Sequence, residues 1–158
     1  MFIKNLICVF LISGIAGYSQ APSIDWQKTI GGDNRDVASC VLTTTDNGTL
    51  IAGLSESSIS GDKNDTSRGG TDIWLVKLSP SGILEWQKTI GGNEDDFVNS
   101  IIVANDGGYL LGGASFSDIS GEKTENSRGG SDIWILKINE SGTIEWQKTI
   151  GEDRKSVV

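Results

Sequence analysis

The stretch WQKTIGG occurs at residues 26 to 32 and again at 86 to 92, and WQKTIG begins a third time at residue 146. Trp26, Trp86 and Trp146 are therefore each 60 residues apart. The similarity extends through the interval, because ISGDKNDTSRGGTDIWLVKL at 59 to 78 matches ISGEKTENSRGGSDIWILKI at 119 to 138. A period of this length predicts a repeat architecture, in which each unit buries apolar surface against the next.

Each unit contains four short segments rich in β-branched and aromatic residues, which are typical of strands. In the second unit these segments are residues 97 to 104, 109 to 115, 132 to 138 and 143 to 150. The sequences between them, such as TDNG, NDGG, SPSG and NESG, supply the positive φ that tight hairpins need. Each unit is therefore predicted to form a four-stranded antiparallel meander.

The third strand of the first unit, DIWLVKL at 72 to 78, is apolar on both faces, as expected of a sheet that is covered on both sides. The fourth strand alternates, with Leu84, Trp86 and Ile90 on one side and polar Glu85, Gln87 and Thr89 on the other, as suits a half-exposed edge. Buried central strands and a polar edge strand predict an all-β fold of stacked β-propeller blades. The chain holds two complete blades and an extra N-terminal strand at Ile24 to Ile30, which makes an incomplete ring.

The predicted organisation has five parts: a signal peptide at 1 to 19, an outer strand and turn at 20 to 35, blade 1 at 36 to 95, blade 2 at 96 to 150, and the start of a third repeat at 151 to 158. A propeller closes with at least four blades. We therefore expect self-association or missing blades to close the ring. The ending GEDRKSVV, where GGDNRDVA is expected, favours a fragment of a longer protein.

The N-terminus predicts export. MFIKN carries one lysine, LICVFLISGIA is an apolar run, and the small residues Gly17 and Ser19 precede Gln20, which predicts a signal peptide cleaved between Ser19 and Gln20. The apolar run is about half of the ~20 residues that a membrane-spanning helix needs. No membrane span is expected after cleavage.

Composition excludes several classes of function. A net charge of −8 disfavours nucleic acid and anionic lipid as partners, because both require clustered Lys and Arg. The absence of histidine excludes Ser-His-Asp and Cys-His nucleophiles and His-based zinc sites. Beyond the signal peptide Cys40 is the only cysteine, so no disulfide forms within one molecule. Nothing marks a carboxyl group as the buried acid of a glycosidase, and the chain is expected to be no enzyme.

The segments GGTDIWLVKLSPSG and GGSDIWILKINESG, each followed by a strand, IGG and an acidic turn, resemble the repeats of secreted bacterial β-propeller proteins. Similar repeats occur in cell-surface proteins and type IX secretion cargo. The resemblance covers Ile24 to Ile150, although no C-terminal sorting domain follows. It implies a protein that is secreted or held on the outer surface of a bacterium, with no assigned activity.

In a meander, the long loops at 55 to 71 and 115 to 131 and the acidic turns GGDNRD and GGNEDD fall at the same end of the blades. Loops of this length are usually functional or disordered. Calcium needs six to eight oxygen ligands, and none of these stretches has EF-hand spacing. The candidate calcium ligands at this end are Asp33, Asp36, Asp62, Asp65, Asp95 and Asp96.

Structural roles are the preferred interpretation of this end. Asp36 and Asp96 are predicted to cap the turn into the first strand, while Arg68 pairs with Asp72 and Arg128 with Asp132. Gly31 and Gly91 form the turn between blades. The tryptophans are predicted to fill the layer between blades, at Trp26, Trp74, Trp86, Trp134 and Trp146.

The sequence therefore favours an exported, non-enzymatic scaffold or interaction module at the cell surface, with a protein or glycan partner and no cofactor. The alternative is a module that binds carbohydrate or Ca²⁺ on the long-loop face.

Overall fold

The computed structural model describes residues 23 to 152, and the predicted signal peptide and residues 153 to 158 lie outside this range. The described chain forms eight strands: β1 (Asp36–Thr43), β2 (Thr49–Ser55), β3 (Asp72–Leu78), β4 (Leu84–Ile90), β5 (Asp96–Val103), β6 (Tyr109–Ser115), β7 (Asp132–Ile138) and β8 (Ile144–Ile150). They make two antiparallel sheets, with orders β1-β2-β3-β4 and β5-β6-β7-β8. Residues 23 to 152 contain no helix long and apolar enough to cross a membrane.

The two sheets are the predicted meanders, and we call them blade 1 (β1 to β4) and blade 2 (β5 to β8). Tight turns join the first two strands of each blade. In blade 1, Thr44 N donates to Gly48 O at 3.0 Å and Asn47 takes a φ of 62°. In blade 2, the left-handed conformation falls on Gly107, at a φ of 90°. The Asn-Gly and Asp-Gly chemistry of these turns thus sets the hairpins, as predicted.

The blades stack face to face, and the interface between them, here called the junction, contains most of the buried core. The junction face of blade 1 includes Leu50, Ala52, Ile73 and Leu75, which are all fully or almost fully buried. The facing surface of blade 2 contributes Val98, Ile101, Tyr109, Leu111, Trp134, Leu136 and Ile138. The faces that point away from the junction are here called the free faces of blades 1 and 2.

A β-bulge changes the predicted faces of β4. Leu78 pairs with Leu84, but Lys77 pairs with Trp86, so Glu85 is an extra residue in β4. One extra residue reverses the alternation of side chains. Leu84 therefore packs with Leu78 on the free face, while Trp86 packs at the junction. The prediction that Leu84 and Trp86 share a face was wrong.

The polar side of β4 was also predicted wrongly to be exposed. Gln87 and Thr89 are buried. Lys63 and Asp62 of the long loop between β2 and β3 bond to these two side chains and cover them. A pattern of alternating polarity does not reveal a cover supplied by a distant loop.

Residues 24 to 30, predicted as an extra strand, are not assigned to a strand. A strand needs a hydrogen-bonding neighbour, and neither sheet formed by residues 23 to 152 includes this segment. The segment nevertheless occupies the place of an edge strand relative to blade 1. The ring of Trp26 lies against Gly82 just as that of Trp86 lies against Gly142, and Ile30 packs on the free face of blade 1.

Candidate functional site

The loop end of the blades consists of the long loops 56 to 71 and 116 to 131 and the turns that precede β1 and β5. Hydrogen bonds join these parts in blade 2. Glu122 N donates to Gly91 O at 3.0 Å, Asn93 N donates to Ser120 Oγ at 2.8 Å, and Glu94 N donates to Ser117 Oγ at 3.0 Å. The long loops and acidic turns therefore do gather at one end, as expected.

Asp36 and Asp96 hold the turns that lead into β1 and β5. Asp96 Oδ2 accepts hydrogen bonds from Gly92 N at 2.6 Å and from Ser117 Oγ at 2.8 Å. Asp36 Oδ2 makes the same two bonds one unit earlier, with Gly32 N at 2.7 Å and Ser57 Oγ at 3.0 Å. Each carboxylate thus caps its turn, which is the predicted role.

Asp72 and Asp132 hold the ends of the long loops in the same manner. Asp72 Oδ2 accepts from Arg68 N at 2.7 Å and Ser67 Oγ at 2.7 Å. Asp132 Oδ2 accepts from Arg128 N at 2.5 Å and from Ser127 Oγ. Burial raises the pKa of Asp72 despite these bonds to its ionised form.

The guanidinium groups do not form the predicted local pairs. Arg68 contacts Asp72 only through its backbone, while its side chain bridges Asp65 at 3.1 Å and Glu122 of the next blade at 2.9 Å. Hydrogen bonds to these two carboxylates raise the pKa of Arg68 above its usual value. Within residues 23 to 152 the guanidinium of Arg128 makes no ion pair. Arg68 is thus a tie between blades.

A buried lysine in each long loop was missed by the sequence analysis. Lys63 Nζ donates to Thr89 Oγ1 at 2.8 Å and to Asp65 O at 3.1 Å, and lies 6.0 Å from the ring centroid of Trp74. Lys123 has the corresponding contacts in blade 2. Burial lowers the pKa of both lysines. The one available signal was a Lys that is repeated at the same place although the residues on either side of it, Asp62 and Asn64, are replaced in the second loop.

Gln87 completes the attachment of the long loop to β4. Trp74 Nε1 donates to Gln87 Oε1 at 3.0 Å, and Gln87 Nε2 donates to Asp62 O at 2.6 Å. Gln147 repeats this arrangement in blade 2. The long loops are therefore fastened to the edge strands by buried polar bonds, which stabilise them strongly in a low-dielectric environment.

The remaining candidate calcium ligands are also bonded within the protein. Asp33 Oδ1 accepts from Ser60 Oγ, Asp62 Oδ2 from Gly31 N, and Asp95 Oδ1 from Thr71 N. Asp65 is paired with Arg68. Across residues 23 to 152, no three His, Cys, Asp or Glu side chains are grouped to hold a metal ion.

The structure does bring two carboxylates together beside Gly91. A Cβ placed on Gly91 would overlap Asp72 Oδ1 and would lie 3.1 Å from Asp96 Oδ2. The Oδ1 atoms of Asp72 and Asp96 are buried without a hydrogen-bond partner. A residue larger than glycine does not fit at position 91, because the Asp72 carboxylate occupies the space that its side chain would need. Asp72 Oδ1 therefore packs directly against Gly91.

The tryptophans divide into two groups. Trp74 and Trp134 are buried, and Trp86 is half-buried at the junction. Trp26 and Trp146 are exposed, and the part of the chain that the structure describes holds no third blade that could cover them. Trp86 and Trp134 pack in the junction, which is the predicted layer between blades, whereas Trp74 is buried on the free face of blade 1.

A cavity of about 180 Å³ lies beneath the N-terminal segment 24 to 30. Its wall includes Ile30 of that segment and Val37, Ile51, Trp74 and Val76 of blade 1. At the junction, the corresponding face of blade 2 packs against Leu50, Ile73 and Leu75 of blade 1. A single segment therefore covers the free face of blade 1 incompletely.

Two four-stranded blades of one plan, stacked face to face in an open arrangement, define an all-β repeat protein of the β-propeller type. The sequence matches no protein-family model and no curated protein. The resemblance to secreted bacterial repeats accordingly stays a prediction that rests on the motifs themselves.

Proposed function

We propose that the chain is an exported, non-enzymatic repeat module that acts as a scaffold or interaction surface outside a bacterial cell. The observation that carries the proposal is the equivalence of the two loop ends. Asp36 with Ser57 and Asp96 with Ser117 make the same bonds, and Lys63 and Lys123 occupy the same buried position.

An acid–base active site has a different chemical requirement. It needs titratable groups whose environments push their pKa values apart, so that one group donates a proton and another accepts it. At the loop end, Asp36, Asp72 and Asp96 share one kind of environment, because each accepts backbone and hydroxyl donors that lie close to it. Repetition of one bonding pattern in every blade favours a structural role for these groups.

The surface formed by the loops is suited to contact with a protein or glycan. Ile59 and Ile119 are exposed at the same point of the two long loops. The Arg68–Glu122 bridge connects the loops across the junction. Each blade thus contributes one exposed isoleucine to an acidic surface. Such repetition supports multivalent binding, in which several weak contacts act together.

The alternative, a calcium or carbohydrate module, is tested by thermal unfolding. We expect the melting temperature of the chain from Gln20 to Val158 to be unchanged by millimolar CaCl₂ or by a glycan panel, with MgCl₂ as the ionic control. A ligand that binds the folded state stabilises it by mass action. A rise with CaCl₂ that MgCl₂ does not reproduce, or with one glycan, would replace the proposal by the alternative.

Export is tested separately. When the full chain is produced in a bacterial host, mass spectrometry of the exported product should give Gln20 as the first residue. A variant without residues 2 to 19 should stay in the cytoplasm. Retention of the uncleaved full chain in the cytoplasm would contradict the localisation.

A further inference from the structure

We propose that a second copy of this chain docks head to tail, with the free face of its blade 2 against the free face of blade 1. This inference goes beyond the proposed function, because stacking of copies depends neither on export nor on another ligand. The new contact would repeat the junction that already joins blades 1 and 2.

The first argument is the exposure of the free face of blade 2. Ile133 is 55% exposed and Ile150 is 48% exposed, whereas their counterparts Ile73 and Ile90 are 1% and 2% exposed. Blade 2 is what buries Ile73 and Ile90. Ile133 and Ile150 could therefore be buried by another blade in the way that blade 2 buries their counterparts.

The second argument is that blade 1 carries the matching surface. Its free face carries Trp74, Val76 and Leu78, which are themselves buried and pack with Ile30 of the N-terminal segment. The counterparts in blade 2, Trp134, Leu136 and Ile138, are the residues that pack into the junction. The two free faces of one chain therefore correspond to the two halves of an existing interface, and two copies can pair them.

The third argument is charge. At the junction, Arg68 of blade 1 bridges to Glu122 of blade 2, and Glu122 Oε2 accepts a bond from Gly91 N at 3.2 Å. One unit earlier, Asp62 stands in the place of Glu122 and accepts from Gly31 N at 3.2 Å. One unit later, Arg128 stands in the place of Arg68. Head-to-tail docking brings Arg128 of one copy to Asp62 of the other.

The N-terminal segment 24 to 30 occupies the place that the docked β8 would take. WQKTIG at 26 to 31 is identical to WQKTIG at 146 to 151. The cavity under the segment shows that it fills less of this space than a whole blade does. The segment is therefore a displaceable cover, and Trp26 opposes docking whereas Trp146 promotes it.

The expected strength follows from the area. Four strands about 20 Å long at about 4.8 Å spacing give roughly 380 Å² per blade face. One docked pair of faces then buries on the order of 800 Å², which is below the ~1,200 Å² of ordinary stable interfaces. A closed ring gains one more junction than an open stack of the same number of copies. Rings of four to eight blades correspond to two to four copies.

The test measures mass against concentration, by light scattering and sedimentation, for the chain from Gln20 to Val158. We expect a discrete species of two to four copies at high concentration. Ile133→Asp should abolish it, while the matched control Ile119→Asp, which alters an equally exposed isoleucine of a long loop, should leave it intact. Both positions are exposed, so both variants should fold, as circular dichroism can verify.

Two further comparisons separate docking from general stickiness. Trp146→Ala should weaken association by about tenfold or more, as for a buried aromatic anchor, whereas Trp26→Ala should strengthen it. Arg128→Asp and Asp62→Arg should each weaken association, and the doubly substituted chain should regain it.

Three outcomes would overturn the proposal. The first is a monomer at all concentrations, which would mean that the free faces do not bind a second copy and would favour their being covered by further blades of a longer chain. The second is association that Ile133→Asp does not change. The third is a double charge reversal that associates no better than the single variants.

Discussion

Blades 1 and 2 are identical at about half of their positions, yet they differ in which face the other blade covers. Ile73 and Ile133 are the same residue at the same position of the third strand, and only Ile73 is covered. On the other face the relation reverses, because Val41 of β1 is 61% exposed while Ile101 of β5 is 8% exposed. The burial of a repeat residue is therefore decided by its neighbouring blade.

The polar anchors behave differently from the apolar faces. Lys77 bonds to Glu85 at 2.7 Å, and Lys137 bonds to Glu145 at 2.8 Å. The caps formed by Asp36 and Asp96 are likewise the same in both blades. These bonds lie within one blade and its adjacent turn, so they recur with the sequence. Contacts between blades, in contrast, exist only once in the described chain.

The largest effect should come from the covered isoleucine. Ile73→Ala is expected to lower the free energy of unfolding by about 2–5 kcal/mol, the range for a truncated core residue. Ile133→Ala should change it by less than about 0.5 kcal/mol, as is usual at exposed positions. Urea denaturation of dilute protein measures both. Light scattering should first show that the dilute protein is monomeric. Equal losses in the monomer would mean that Ile133 is as well covered as Ile73, and the contrast between the two blades would then be wrong.

The second effect concerns the glycine before each blade. Gly91→Ala should cost about 1–3 kcal/mol, since its Cβ would overlap the buried carboxylate of Asp72. Gly31→Ala should be nearly neutral, because the nearest atom to its Cβ is Asp36 Oδ2 at 3.2 Å, at the end of a side chain. Neither glycine needs a positive φ. If both variants lost the same stability, backbone freedom and not the Asp72 contact would explain the repeat glycines.

The strands and turns could be predicted from the sequence because their causes are local. Apolar runs, Asn-Gly or Asp-Gly turns and the 60-residue period fix the meander of each blade. The caps at Asp36 and Asp96 were predictable for the same reason, as each bonds to a glycine four residues earlier.

Features that depend on distant residues could not be predicted. Arg68 prefers Glu122, 54 residues away, to Asp72, which is close in sequence. Gln87 and Thr89 look exposed in the alternation of β4 until Lys63 and the long loop cover them. The bulge at Glu85 leaves no clear mark in the sequence, yet it reverses the face of Leu84.

The inter-blade ion pair provides a third, smaller test. Arg68→Ala should lower the free energy of unfolding by about 1 kcal/mol, because its bonds to Asp65 and Glu122 are partly exposed. The loss should shrink as NaCl is raised from 0.05 to 0.5 M, since salt screens exposed charges. Arg128→Ala, at the matching position of blade 2, should have no measurable effect. A salt-independent loss at Arg68 would point to packing of its aliphatic stem instead of its charge.

The smallest effect should be a change in pH dependence at Asp72. Burial raises the pKa of this carboxyl above its ordinary value of 3.8 in the folded chain. Between the unfolded and folded pKa values the folded state binds more protons, so this group's contribution to stability falls as pH rises through that window. Asp72→Asn removes the ionisation and can keep an acceptor for Ser67 and Arg68.

The quantity to measure is the free energy of unfolding of the wild-type chain minus that of Asp72→Asn, by urea denaturation from pH 3.5 to pH 7. Subtraction removes the contributions of the other carboxyl groups, such as that of Asp65, whose lowered pKa acts in the opposite direction. We expect the difference to decrease as pH rises and then to level off. A difference that increases with pH would mean that hydrogen bonds at Asp72 outweigh its burial beside Asp96. In that case the environment of Asp72 would favour the ionised carboxylate. The junction would then be less hostile to a charge than the burial of Asp72 implies.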